Sequence, residues 1–453
     1  MNFPLTASRS VLRRVGLITT IATLAIPATA LADCTTYPNG VTSDQRVITV
    51  PASIDSTGTT EVSAKLMQFL STVPAGTAGR PVTIRFAAGG TYWSDYTLLL
   101  RNQGSGSFSQ TMWSSKTDST INIPDFCLDH LRFDLNGATI EQRTTVPFMS
   151  GGVVLDARKR WGDPLISTQG ATDVEIFGGT LLGSKNIGGY DQKFEEWSGV
   201  RLTGNQDTDV VNHLVVRDMK INRVWGDFVY VASAKVPWLD GSGRQQFYPG
   251  GRLVEISTLT DVQIYNNVMR NAGRQGIVLN GGSFVDIHHN DFSDVNRLLF
   301  DSEPAASQGF SYVNIHHNTG GSGGIGFFQF ASGGKTMADH LTITDNVLSR
   351  GHFDTTLQNG QFLADGVTPN SPRPGFVMRN NQALNLAGNT AFGGTYNKVL
   401  LGVGMWDGVT ITGNSDYAKL NNKGVAIYSA FNGPTATNVV RTGNCWVNFI
   451  EGC

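Results

Sequence analysis

The feature that most narrows what this chain can become is a six-residue pattern of apolar, spacer, apolar, two polar positions and asparagine, repeated along its second half. It reads Val262-Gln-Ile264-Tyr-Asn-Asn267, Val285-Asp-Ile287-His-His-Asn290, Val313-Asn-Ile315-His-His-Asn318 and Leu341-Thr-Ile343-Thr-Asp-Asn346. It continues as Phe376-Val-Met378-Arg-Asn-Asn381 and Val409-Thr-Ile411-Thr-Gly-Asn414, and ends between Val439 and Asn444. The asparagines are spaced by 23, 28, 28, 35, 33 and 30 residues. That is a unit of about 22 residues or more with insertions, in the range of stacked repeats. Each unit carries a second β segment, such as Gln275-Gly-Ile-Val-Leu279, Arg297-Leu-Leu-Phe300, Ile325-Gly-Phe-Phe328 or Val425-Ala-Ile-Tyr428.

Short strands of period two, separated by Asn and Gly turns, fit a coil in which each rung hydrogen-bonds to the same strand of the next. The expectation is an all-β chain folded as a parallel β-helix. The asparagine suits the turn, because it tolerates left-handed backbone and its amide can bond to the equivalent turn one rung away. Less regular rungs come earlier, at Leu131–Leu135, Val174–Ile176 and Leu214–Val216. Composition agrees: 15% charged residues are too few for a long-helix protein, and 53 glycines with 9% aromatics suit a turn-rich β fold. A formal charge of −2 argues against a nucleic-acid partner bound on a basic face.

The start of the chain reads as an export signal. Arg9, Arg13 and Arg14 precede the apolar run Val15 to Ile26 and then Ala28-Thr-Ala30-Leu-Ala32, a small-residue cleavage site. The run is shorter than the roughly 20 residues that cross a bilayer, and no later stretch is long enough. The expectation is therefore a secreted protein, extracellular or periplasmic, without a membrane span. It comprises a signal peptide at 1–32 and one domain at 33–453, with a cap at about 45–90 and regular rungs at about 120–445. All four cysteines, Cys34, Cys127, Cys445 and Cys453, fall in the mature part, where disulfides are permitted. A Cys445–Cys453 pair would close a short C-terminal loop, and Cys34–Cys127 would then tie down the start, but the sequence alone does not fix the connectivity. No CxxC spacing supports zinc, and Gly178-Gly179 and Gly320-Gly-Ser-Gly-Gly324 precede no helix start that would make a phosphate loop. The sequence assigns no cofactor.

Ahead of the rungs, Asp55-Ser-Thr-Gly-Thr-Thr-Glu61 leads into Val62, Leu66, Phe69 and Leu70, a helical spacing, and then Val82-Thr-Ile-Arg-Phe86 and Gly89-Gly-Thr-Tyr92 resume β structure. A short amphipathic helix here covers the open end of the coil and prevents edge pairing. The Asp55-Ser-Thr-Gly start with its helix, the Phe86-Ala-Ala-Gly-Gly-Thr-Tyr92 segment and the Asn-ended rungs resemble the pectate-lyase-like superfamily over roughly residues 45–440. The resemblance implies a right-handed, single-stranded parallel β-helix with an N-terminal capping helix. It also implies action on a polysaccharide, by hydrolysis, elimination or epimerisation, as a monomer or homotrimer. It does not choose the reaction.

The residues themselves suggest one. If Leu298 and Phe300 point into the coil, Arg297, Asp301 and Glu303 share the outer face. Two acids spaced by about 6.7 Å along a strand come within the separations that glycoside hydrolysis uses. Asp227 heads the comparable strand Asp227-Phe-Val-Tyr230-Val231 two rungs earlier and is the candidate third acid. The bland reading makes Asp301 and Glu303 a solvated turn before Pro304. Arg274 and Gln275 lie one rung below Arg297, so the guanidinium groups would either bind substrate carboxylates, with one of them the base of a lyase, or simply salt-bridge the acids. Tyr230, His352 near Asp354, and Trp238 in the interruption from Ala234 to Arg252 complete the candidate substrate contacts. Trp238, Tyr248 and Trp197 after Glu195-Glu196 suit either stacking on sugar rings or packing of their loops. His288-His289 and His316-His317 fall in the same columns of consecutive rungs, with Asp345 the third member. Because Asp345 and His289 are too far apart to share an ion, the expectation is a turn stack and no metal site.

The leading expectation is thus a glycoside hydrolase with Asp301, Glu303 and Asp227 as its acids. A lyase or uronate epimerase is the nearest rival, and a non-catalytic carbohydrate-binding surface protein the third reading.

Overall fold

A computed structural model of the protein describes residues 46–102, 111–113, 120–122, 126–143, 149–150, 153–154, 164–186, 194–195, 197–204, 211–233, 235–237, 255–303, 309–323, 326–331, 338–350, 355–358, 372–384, 399–416, 424–426, 436–446 and 449–450. Their strands form three long sheets of 12, 13 and 10 members, and in each sheet the neighbours are the equivalent strands of successive turns of the coil. The first and third sheets are parallel throughout. The second is parallel until its last pair, Cys445–Trp446 against Phe449–Ile450. This is the expected parallel β-helix, wound in the right-handed sense that crossovers between parallel strands take.

The alternation in sequence becomes an alternation of faces. Strand Asp339–Thr344 alternates buried and half-buried residues along its whole length. Its inward Ile343 pairs with Ile315 below and Met378 above, and the column runs on through Ile287 and Ile264. All of these are fully buried. β-Branched side chains stacked at strand spacing fill the coil, and each such burial contributes roughly 1.5–3 kcal/mol.

The asparagines form a continuous buried ladder. The backbone N–H and the Nδ2 amide of Asn290 both donate to Oδ1 of Asn318 at 3.1 and 3.0 Å. Asn318 does the same to Asn346, and the series extends from Asn267 to Asn444. Each amide also donates to a backbone carbonyl, as Asn318 does to Ile287 at 2.9 Å. The left-handed backbone expected at the asparagine lies one residue earlier. Asn266, His289, His317, Asp345, Asn380, Gly413 and Gly443 have φ between 52° and 65°. That residue makes the bend, and the bend aims the following amide into the coil, where its hydrogen bonds are sheltered from water.

The helix spans Ser63–Leu70 and buries Leu66, Met67 and Leu70 in the common core. It takes the place of the third strand in the first turn and packs against Leu98–Leu99, whose Leu99 N–H lies 3.3 Å from Met67 Sδ. No helix of the described residues is long and apolar enough to cross a membrane. Cys127 and Cys445 are both disulfide-bonded. Cys34, Cys453 and residues 1–32 lie outside the described residues.

Candidate functional site

The acids and arginines gather where the chain passes from the second sheet to the third. Successive passes stack: Gly226 N–H donates to Trp197 O, Arg274 N–H to Gly226 O, and Arg297 N–H to Arg274 O, at 2.8, 3.1 and 2.9 Å. Gly273 is required beside this stack, because a Cβ there would fall 2.0 Å from Trp225 O. In the third sheet, Phe300 pairs with Ile277 and Asp301 with Val278, and below them Val229 and Tyr230 pair with the same two residues. Asp301 therefore stands on the outer face, in one column with Val278 and Tyr230, while Phe300 is in the core. The expected partner of Phe300 in the core was Leu298; the structure puts Leu299 there instead. The pass at Asn296-Arg297 bends the chain just ahead of the strand, so strict alternation begins only at Phe300.

Arg274 is the hub. Its Nη1 donates to Asp227 Oδ2 at 3.3 Å, its Nη2 to Glu303 Oε2, and its Nε lies 3.9 Å from Glu195 Oε2. Burial opposes the Arg274 charge, yet Asp227, Glu303, Asp301 and Glu195 together hold its pKa above the ordinary range. Asp227 precedes its strand, Val229–Ala232, and is 0% exposed. Its other oxygen, Oδ1, accepts the Gln275 N–H at 3.0 Å. It anchors the turn from inside.

Asp301 is 2% exposed, which excludes the solvated-turn reading for this residue. Burial pushes its carboxyl up to about 7; Glu303 adds to the rise, and Arg274 and Arg297 oppose it. Gln275 holds it, donating Nε2 to Asp301 Oδ2 at 2.7 Å while its Oε1 accepts Leu298 N–H at 2.8 Å. Both ends of that amide are thus engaged within the protein, and Gln275 orients Asp301. Glu303 is at the surface, its side chain 50% exposed. Its N–H donates to Asn280 Oδ1 at 2.7 Å, and Asn280 Nδ2 donates to Tyr230 Oη at 2.8 Å. The Arg201 guanidinium lies over the Tyr230 ring at 5.0 Å.

The structure thus brings together Asp227, Tyr230, Arg274, Gln275, Arg297, Asp301 and Glu303. Trp238 and His352 lie outside the described residues. Trp197 packs rather than presents its ring: it is buried with Phe194 and Trp225 in a small cluster outside the coil, with Phe194 stacked on Trp225 at 4.2 Å. Two members of the site escaped the sequence reading. Glu195 sits in an irregular stretch with no periodic signal. Asn280 carried one, since it lies beneath Glu303 at the same 23-residue offset that puts Gln275 beneath Leu298.

No protein-family model matches the chain, and no curated protein sequence does. Among solved structures it is similar to ORF18 of Geobacillus virus E2, at 10% identity over 89% of this chain and 62% of that one, with a TM-score of 0.43. It is similar to a tailspike protein of E. coli bacteriophage HK620, at 12% identity over 89% of this chain and 66% of that one, with a TM-score of 0.47. A polygalacturonase of Erwinia carotovora gives 12% identity over 91% and 96%, with a TM-score of 0.40. The chain spans less than two thirds of the length of the two viral proteins.

Proposed function

We propose that the protein is an exported glycoside hydrolase acting on a polysaccharide, with Asp301 as proton donor and Glu303 as the second carboxylate. The observation that carries the reading is the unequal pair on one outer face: a buried acid pushed up to about 7 beside a surface carboxylate bonded to Arg274. Two carboxyl groups whose environments differ in this way suit the two roles of the reaction. Asp301 gives its proton to the glycosidic oxygen as the bond from that oxygen to the anomeric carbon breaks. Glu303 then either takes a proton from the water that attacks that carbon or bonds to the carbon itself before water releases the sugar. Asp227 does not touch sugar in this scheme; it positions Arg274, which positions Glu303. The polysaccharide substrate rests on the sequence resemblance given above, and export on the character of residues 1–32.

The lyase alternative loses its base at Arg274, because a guanidinium flanked by carboxylates gives up its proton less readily than a free one. One observation favours the non-catalytic reading, the near-complete burial of Asp301. Incubation with a panel of neutral and uronate polysaccharides separates the three. Hydrolysis yields new reducing ends, elimination yields an unsaturated product absorbing in the ultraviolet, and a binder yields neither. Asp301→Asn and Glu303→Gln are each expected to lower the hydrolytic rate by about a hundred- to ten-thousand-fold with the fold retained. Unchanged rates in both remove the assignment.

A further inference from the structure

The two His-His steps lie where the chain passes from the first sheet to the second, a different corner of the coil from the acids, and serve no part of the reaction above. His288 pairs with His316 across adjacent rungs, with rings stacked at 5.0 Å, and His289 stacks on His317 at 5.2 Å. The sequence reading weighed ligation only along these columns, where two neighbours could share an ion but the third member, Asp345, lies too far from His289 to join them. The structure adds a contact within each step. Because His289 and His317 adopt left-handed backbone, with φ of 53° and 52°, each ring swings beside its predecessor. The Nδ1 atoms of His288 and His289 lie 2.8 Å apart, as do those of His316 and His317.

Two imidazole nitrogens come this close only with a proton or a cation between them. Cis ligands about 2.0 Å from an ion of square or octahedral geometry lie about 2.8 Å apart, whereas tetrahedral zinc spreads its nitrogens to about 3.3–3.4 Å. A second observation points the same way. His316 Nε2 lies 3.0 Å from Asp286 Oδ1, and Asn314 Nδ2 donates to the same oxygen at 3.3 Å. A carboxylate on Nε2 takes the proton there and leaves Nδ1 with its lone pair, the outer support that metal-bound histidines use. Tyr265 covers the other end of the stack, its ring parallel to that of His288 at 4.9 Å.

We propose that the His288-His289 and His316-His317 steps form a surface site for a late first-row divalent cation, copper(II) foremost, held through paired Nδ1 atoms. Among the described residues no three such side chains converge on one point, so water completes the coordination shell. On binding, the proton between the two nitrogens moves to Nε2 of the ring that carried it, so both imidazoles enter neutral. Two dications about 5 Å apart repel strongly even in water, enough to weaken the second by more than about a hundredfold. The array therefore takes one ion tightly, at either step.

The test is titration of the purified mature protein with copper(II), followed by calorimetry and by the nitrogen splitting in the electron paramagnetic resonance spectrum. Asparagine is the replacement of choice at His289 and His317, because Asn266 and Asn380 already occupy this left-handed column with φ of 55°. The expected result is one tight ion per chain with two imidazole nitrogens. It should persist in His289→Asn and in His317→Asn, and affinity should fall at least a hundredfold when both are replaced, with circular dichroism unchanged. A double variant that binds copper(II) as tightly as the parent overturns the proposal.

Discussion

Replacing Asp301 by asparagine keeps the shape of the side chain, and its Oδ1 can still accept from Gln275, but the titration is gone. In the folded protein the carboxyl titrates near 7, against about 3.9 in an unfolded chain. Between those values the folded state holds a proton that the unfolded state has released, so the stability contributed by this group is complete below about pH 4 and is lost as pH rises through 7. The gap of roughly three units corresponds to about 4 kcal/mol. Solvent screening reduces it little, since Asp301 is 2% exposed. Urea unfolding of parent and Asp301→Asn from pH 4 to 8 should therefore show the variant gaining on the parent by about 4 kcal/mol across the range. A difference that stays constant within about 1 kcal/mol would mean that the carboxyl is neither buried nor perturbed as described, and the proton-donor role would fall with it.

Arg274→Met leaves Asp227 buried without its cation, and should cost about 3–5 kcal/mol in urea unfolding. Adding Asp227→Asn should recover part of that loss; a single-variant cost under about 1 kcal/mol would refute the role of the pair. Asn318→Ala removes the acceptor of two Asn290 donors and the donor to Ile287 O. With each buried orphan worth about 1–3 kcal/mol, a loss of about 3–5 kcal/mol is expected. Asn318 also donates Nδ2 to Asn346, whereas Asn444, which ends the described ladder, makes the same three bonds with no described onward one; the change there should therefore cost less, and equal losses at the two positions would argue against a cooperative series.

What could be read from the sequence is what depends on the strands. The apolar pair before each asparagine fixes which residues face inward, and the offset between asparagines fixes which residues lie above one another. Asp301 on the outer face, Arg274 beneath Arg297 and His288 beneath His316 all follow from those two rules. The turns were less legible. A left-handed residue or a bend between sheets resets the alternation, which is why Leu299 rather than Leu298 enters the core and why His289 swings its ring toward His288. Burial of the outer face was illegible for a different reason. Whether Asp227 or Asp301 meets water depends on residues contributed by other turns, as Arg274 and Gln275 are, and no local pattern encodes that.

The file of amides from Asn267 to Asn444 passes its hydrogen bonds in a single sense, each Nδ2 toward the oxygen of the next rung. Head-to-tail amides polarise one another, and their dipoles add instead of cancelling. The interior of the coil therefore has an electrical direction, positive toward Asn444 and negative toward Asn267, where Met219 N–H meets the first oxygen at 3.0 Å. Acidic side chains are favoured near the last rung and basic ones near the first, as at the two ends of an α-helix.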